Sequence, residues 1–134
     1  MNYAPQILII EDEPAIRRFL VRALAEDGYA VTALGTAREA MQMIENVDFE
    51  AIIVDMSLPD ADGIDVVRQI HVDFPYVPVL AISGMMVADL LRAVRSAGAG
   101  AALMKPVTSR TVRAVIQHLL ERSSEPMEVA AIAS

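Results

Sequence analysis

Residues 51–63 read AIIVDMSLPDADG, an apolar run that ends on the carboxylate of Asp55. A short, continuous apolar run is typical of a parallel strand that is buried on both faces. An ionised acid at the end of such a strand is costly unless something binds it. The stretch therefore predicts a parallel sheet and, where this strand ends, a site with chemistry.

Four further apolar runs extend this interpretation along the chain, at 6–10, 30–34, 77–82 and 101–104. Helical patterns lie between them, beginning at Pro14 in one case and at a Thr36–Glu39 capping box in another. Pro78 is expected at the first residue of its strand, where a missing N–H is tolerated. Five alternating strand–helix units predict an α/β fold, a doubly wound parallel sheet with helices on both faces.

Composition narrows the class of protein. The 134 residues suit one domain, and 11 basic against 18 acidic residues give a net charge of −7. That balance argues against nucleic acid or an anionic membrane surface as the partner. The chain has no cysteine, which excludes disulfides and thiolate chemistry. Without a long apolar segment or a signal peptide, we expect a soluble, cytoplasmic protein.

Polar groups follow four of the five predicted strands. They are the run Glu11-Asp12-Glu13, then Asp55, Ser83 and Lys105. Each has an ordinary explanation when taken alone, such as a helix cap, a turn residue or a surface charge. Ligands of open parallel sheets bind beyond the carboxyl ends of the strands, so we expect these groups to form one site.

The residue types of this cluster indicate phosphoryl chemistry with a metal. Neighbouring carboxylates of Glu11, Asp12 and Asp55 repel one another unless a cation lies among them. Oxygen ligands alone favour Mg²⁺, which commonly shares its site with phosphate oxygens. Asp55 is then a candidate nucleophile toward phosphorus, and Lys105 and the Ser83 hydroxyl are candidates to stabilise the phosphoryl oxygens.

At these four motifs the chain resembles the receiver domain of two-component response regulators. The resemblance covers about residues 5–121 and leaves 122–134 as a C-terminal tail or linker. It implies a flavodoxin-like (βα)5 fold with strand order 2-1-3-4-5. It also implies a phosphoacceptor switch of a phosphorelay, which catalyses only its own phosphorylation and dephosphorylation.

The roles of individual residues follow from the resemblance. Asp55 would accept a phosphoryl group from a sensor histidine kinase or a histidine phosphotransfer protein. Glu11, Asp12, Asp55 and the backbone carbonyl of Ser57 would hold Mg²⁺. Ser83 and Lys105 would bind the phosphoryl oxygens.

The same resemblance assigns structural roles and partners. Pro59 and Gly63 would shape the loop after Asp55, and Lys105-Pro106 would be a cis peptide. Asp60 or Asp62 is expected to start the next helix. The output would be a protein bound at the face made by helix 4, strand 5 and helix 5, and a homodimer is allowed.

One departure keeps alternatives open. The family commonly has an aromatic residue three positions before the lysine, and here that residue is Ala102. A degenerate receiver that only docks partners is therefore a second hypothesis. A hydrolase of the haloacid dehalogenase type is a third, although such enzymes carry an acid two residues after the nucleophile, where this chain has Ser57.

Overall fold

The apolar runs of the sequence form the strands of one parallel sheet. The computed structural model of the chain describes residues 3–122 and 130–131. The main strands are β1 (Gln6–Ile10), β2 (Ala30–Leu34), β3 (Ala51–Asp55), β4 (Val79–Ser83) and β5 (Ala101–Met104). The helices are α1 (Pro14–Ala25), α2 (Ala37–Ile44), α3 (Gly63–Asp73), α4 (Ala88–Ala97) and α5 (Ser109–Glu121).

The strand order is β2-β1-β3-β4-β5, and every neighbouring pair is parallel, as predicted. A two-residue strand, β6 (Ala130–Ala131), extends the sheet beyond β5 and is also parallel to it. Most of the expected tail at 122–134 lies outside the described residues. The order places β1 between β2 and β3, so the ends of β1 and β3 are adjacent.

Helices cover both faces of the sheet because successive strand side chains point to opposite sides. In β1, Leu8 and Ile10 pack toward α2, α3 and α4, whereas Ile7 and Ile9 pack toward α1 and α5. Among the described residues, no helix is long and apolar enough to cross a membrane.

Two local expectations are met, and two others differ from the structure. Helix α1 begins at Pro14, and Thr36 caps α2 by accepting a hydrogen bond from the Glu39 N–H at 3.2 Å. Strand β4 begins at Val79, one residue after Pro78. Strand β2 is only half buried, although its sequence predicts a buried strand, because it is the edge of the sheet.

Candidate functional site

The end of β1 delivers two acids to the carboxyl edge of the sheet. Glu11 is fully buried and Asp12 is exposed. The Glu11 backbone N–H still belongs to the sheet, since it donates to the Leu34 carbonyl at 3.0 Å. The chain leaves the core at Asp12, so the exposed carboxylate of Asp12 follows directly after the buried carboxylate of Glu11.

Arg17 of α1 fixes the backbone of this acidic pair. Its Nη1 donates to the Glu11 carbonyl at 2.8 Å and to the Asp12 carbonyl at 3.3 Å. Gly35 leaves room for it, because a Cβ there would lie 3.0 Å from the same nitrogen. The sequence interpretation did not include Arg17 in the site. Its position in the first turn of α1, five and six residues after the two acids, is the signal that could have identified it.

Asp55 is the last residue of β3 and lies beside Glu11, since β1 and β3 pair in register up to Ile10 and Val54. Its side chain is 2% exposed. Its Oδ1 accepts a hydrogen bond from the Ser57 N–H at 3.1 Å. The loop that follows is tight: a Cβ on Gly63 would lie 2.5 Å from the Met56 Cα and 2.7 Å from the Asp55 carbonyl oxygen.

Lys105 links the two buried carboxylates. Its Nζ lies 3.2 Å from Asp55 Oδ2 and 3.1 Å from Glu11 Oε2. The peptide bond between Lys105 and Pro106 is cis, as the resemblance implied. The lysine thus places one positive charge between two acids that arrive from different strands.

Burial and charge act on these groups in opposite directions. Removal from water raises the pKa of the Glu11 carboxyl above its ordinary value, and the nearby charge of Asp55 raises it further, against the hydrogen bond from Lys105. Burial alone would lower the Lys105 pKa, but its hydrogen bond to Glu11 and the charge of Asp55 raise it. Lys105 is therefore positively charged at neutral pH, whereas burial opposes the ionisation of Glu11.

The carboxylates fit a hard divalent cation. Glu11, Asp12 and Asp55 each offer one oxygen, and these oxygens all lie within 4.8 Å of one another. Lys105 Nζ donates to Glu11 Oε1 at 3.3 Å and lies 3.1 Å from the buried Oε2, so one ammonium is shared between both oxygens of Glu11 and Asp55 Oδ2. Two buried carboxylates against one ammonium leave an excess of negative charge, which a cation that prefers oxygen ligands would balance.

Ser83 ends β4 at the same edge, but its hydroxyl is engaged elsewhere. It donates to the Met85 carbonyl at 2.9 Å and accepts the Met85 N–H at 3.2 Å. The structure therefore brings Ser83 to the site without a hydrogen bond to Asp55. Ala102 is 2% exposed in β5 and packs with the side of the core that contains α4.

The two acids of the loop after Asp55 have separate structural roles. Asp62 is the N-cap of α3 and accepts a hydrogen bond from the Ile64 N–H at 2.9 Å. The sequence predicted that either Asp60 or Asp62 would start this helix. Asp60 instead caps α2, since its two oxygens accept the Ala37 and Arg38 N–H groups, each at 2.9 Å. These hydrogen bonds lower the Asp60 pKa. No local sequence pattern joins residues 22 and 23 positions apart, so this contact was not predicted.

The chain resembles known proteins in sequence. The sequence model of the response regulator receiver domain matches residues 7–131. The chain is 30% identical over 117 residues to the sensor protein TorS of Escherichia coli and 30% identical over 121 residues to the transcriptional regulatory protein TcrA of Mycobacterium tuberculosis. These matches cover 87% and 90% of the chain but only 13% and 48% of those proteins.

Solved structures give the same result for the fold. A CheY-like receiver domain protein from Methanospirillum hungatei superposes with a TM-score of 0.87 at 30% identity, over 91% of this chain and 98% of that one. The beryllofluoride-activated NtrC4 receiver domain, described as a dimer, superposes with a TM-score of 0.84 at 30% identity, over 88% and 98%.

Proposed function

The chain belongs to the response regulator receiver domain family, and we propose that it is a phosphoacceptor switch of a two-component phosphorelay. Asp55 receives the phosphoryl group from a phosphohistidine on a sensor kinase or phosphotransfer protein. We assign this function to residues 5–121, with 122–134 as a tail or linker, and to the cytoplasm. The observation that carries the proposal is the contact of Lys105 with both Asp55 and Glu11 at the open edge of the sheet.

The proposed transfer uses the residues that the sheet brings together. An Asp55 carboxylate oxygen attacks phosphorus, the phosphorus–nitrogen bond of the donor breaks, and its electron pair leaves with the imidazole. Lys105, 3.2 Å from Asp55 Oδ2, balances negative charge on the phosphoryl oxygens. Glu11, Asp12, Asp55 and the Ser57 carbonyl would hold Mg²⁺. When bound, Mg²⁺ supplies positive charge to the phosphoryl oxygens.

An apolar groove beside the site supports docking of the donor. It has a volume of about 420 Å³ and runs between α1 and the segment after β5. Phe19 on α1 is 40% exposed there, so part of its side chain is available to a partner. A helical partner that packs in this groove would bring its histidine next to Lys105. The groove is lined by Ala15, Ile16, Phe19, Lys105, Pro106 and Val107.

The proposed output begins at Ser83. For its hydroxyl to bind a phosphoryl oxygen, it must release the Met85 carbonyl, which it now contacts at 2.9 Å. That exchange would shift the segment between β4 and α4, and therefore the face made by α4, β5 and α5, where we propose that a downstream protein binds. Because Ala102 carries no ring that could swing inward, the backbone after Ser83 is the proposed carrier of the signal.

The test is phosphorylation from a small donor. Incubating the protein with Mg²⁺ and acetyl phosphate should add the mass of one phosphoryl group, as read by intact-mass spectrometry. The Asp55→Asn variant should add none, and chelation of Mg²⁺ should abolish the gain in the wild type. If several small donors leave the wild-type mass unchanged, the proposal of a phosphoacceptor switch is wrong. The hypothesis of a degenerate receiver that only docks partners then takes its place.

A further inference from the structure

Asp60 connects the loop after Asp55 to a helix that is distant in sequence. Its Oδ1 and Oδ2 accept the N–H groups of Ala37 and Arg38, each at 2.9 Å. The next N–H of that helix turn, from Glu39, is bound by Thr36. The first turn of α2 therefore has its free N–H groups satisfied from two sources: Thr36 within the same segment, and Asp60 across the molecule.

The other end of the loop is tied to the site itself. Ser57 donates its N–H to Asp55 Oδ1 at 3.1 Å and forms an antiparallel bridge with Asp62. The Gly63 N–H donates to the Met56 carbonyl at 3.3 Å. The Ser57 carbonyl, the backbone group assigned to Mg²⁺ under the proposed function, thus lies in a short loop held at both ends.

Helix α2, to which Asp60 attaches the loop, is packed against the sheet. Ala37, Ala40 and Ile44 are buried against the sheet, so the helix does not shift easily. Asp60 itself is exposed and contributes little packing. Its contribution is the pair of charge-assisted hydrogen bonds, which are stronger than neutral ones.

We propose that Asp60 is a positioning residue for the cation site: it ties the loop to α2 and so holds the Ser57 carbonyl where it can bind Mg²⁺. This inference rests on the proposed function, since it concerns the metal that the phosphoryl transfer requires. The competing explanation is that Asp60 only caps α2.

Two alanine variants separate these explanations. Thr36→Ala removes a cap from the same helix turn but leaves the loop attached to α2. Asp60→Ala removes a cap and also the hydrogen bonds from the loop to α2, while the contacts of Ser57 and Gly63 remain. Both variants should lower the urea midpoint of unfolding. Only Asp60→Ala should weaken Mg²⁺ binding, by about three- to tenfold in calorimetric titration, less than the loss when a group contacting a metal ligand is removed.

Equal Mg²⁺ affinity in the Asp60→Ala and Thr36→Ala variants would overturn the inference and leave the proposed function standing. If the wild type binds no Mg²⁺, the proposed function fails, and this inference fails with it. Asp60→Asn keeps one acceptor oxygen and should give an intermediate affinity. It serves as the measured variant if Asp60→Ala does not fold, and wild-type affinity in it would then count against the inference.

Discussion

At the scale of single residues, the site depends on a balance between two buried acids and one half-buried ammonium. Glu11 is fully buried, and its raised pKa reflects the cost of keeping it ionised there. Lys105 offsets part of that cost through its contacts with Glu11 and Asp55. The two buried carboxylates still outnumber the one ammonium, and this excess of negative charge favours a second cation at this edge of the sheet.

Arg17 should be needed to hold the backbone of Glu11 and Asp12 in place. Replacing it with alanine removes hydrogen bonds to the carbonyls of Glu11 and Asp12. We expect the Arg17→Ala variant to lose about 1 kcal/mol of unfolding free energy and to bind Mg²⁺ more weakly than the wild type. Arg18 is its exposed neighbour, so Arg18→Ala is the matched control and should change neither quantity. Unchanged Mg²⁺ affinity in Arg17→Ala would show that the two carbonyls need no support from Arg17.

At the scale of elements, the loop between β3 and α3 is the most constrained segment of the site. Gly63 lies against the backbone of Met56 and Asp55, and neither backbone can move aside cheaply. Asp62 and Asp60 cap two different helices from this one loop. The geometry around Asp55 is therefore set by contacts of a few residues that do no chemistry themselves.

Substituting Gly63 should damage the fold as well as the site. A Cβ at this position would meet Met56 Cα at 2.5 Å, and we expect Gly63→Ala to cost about 3 kcal/mol of unfolding free energy. Gly84 has no atom within 4 Å of its corresponding Cβ position, so Gly84→Ala is the control and should remain near wild-type stability. Equal urea midpoints for the two variants would contradict the close approach at Gly63.

Acid should weaken the cap that Asp60 provides. Its pKa is lowered by the hydrogen bonds from Ala37 and Arg38, so folding favours the ionised form. The stability it contributes is then fully present above about pH 4, the ordinary range of an aspartate, and is lost as the pH falls through the lowered pKa. The difference in unfolding free energy between the wild type and Asp60→Asn should accordingly shrink in acid. A difference that is constant with pH would count against this cap.

At the scale of the whole molecule, most of the fold follows from the sequence. Continuous apolar runs and capped helices between them predicted each strand–helix unit, and the motifs at strand ends predicted which residues meet. Several features did not follow. They are the half-buried edge strand β2, the short strand β6, the contacts of Arg17, the reach of Asp60 to α2, and the Ser83–Met85 turn. Each depends on tertiary neighbours or on a side-chain rotamer, which no local pattern encodes.

Mg²⁺ should stabilise the whole domain, because it binds only where the fold brings the carboxylates together. A ligand at 100 times its dissociation constant adds about 2.7 kcal/mol of unfolding free energy, so the thermal midpoint should rise with Mg²⁺. Asp12→Asn should largely remove that rise. Asp48, an exposed aspartate outside the cluster, provides the control, and Asp48→Asn should keep the rise. A rise that persists equally in both variants would indicate general charge screening and would contradict binding at the cluster.

The central claim, that Asp55 becomes an acyl phosphate, is tested most directly by reductive trapping. Borohydride converts an aspartyl phosphate to homoserine, and peptide mass mapping then locates the converted residue. After treatment with acetyl phosphate and Mg²⁺, we predict homoserine at position 55 in the peptide that contains residues 51–63, and none when Mg²⁺ is chelated. Homoserine at Asp12 or another acid, or at no position, would contradict the claim.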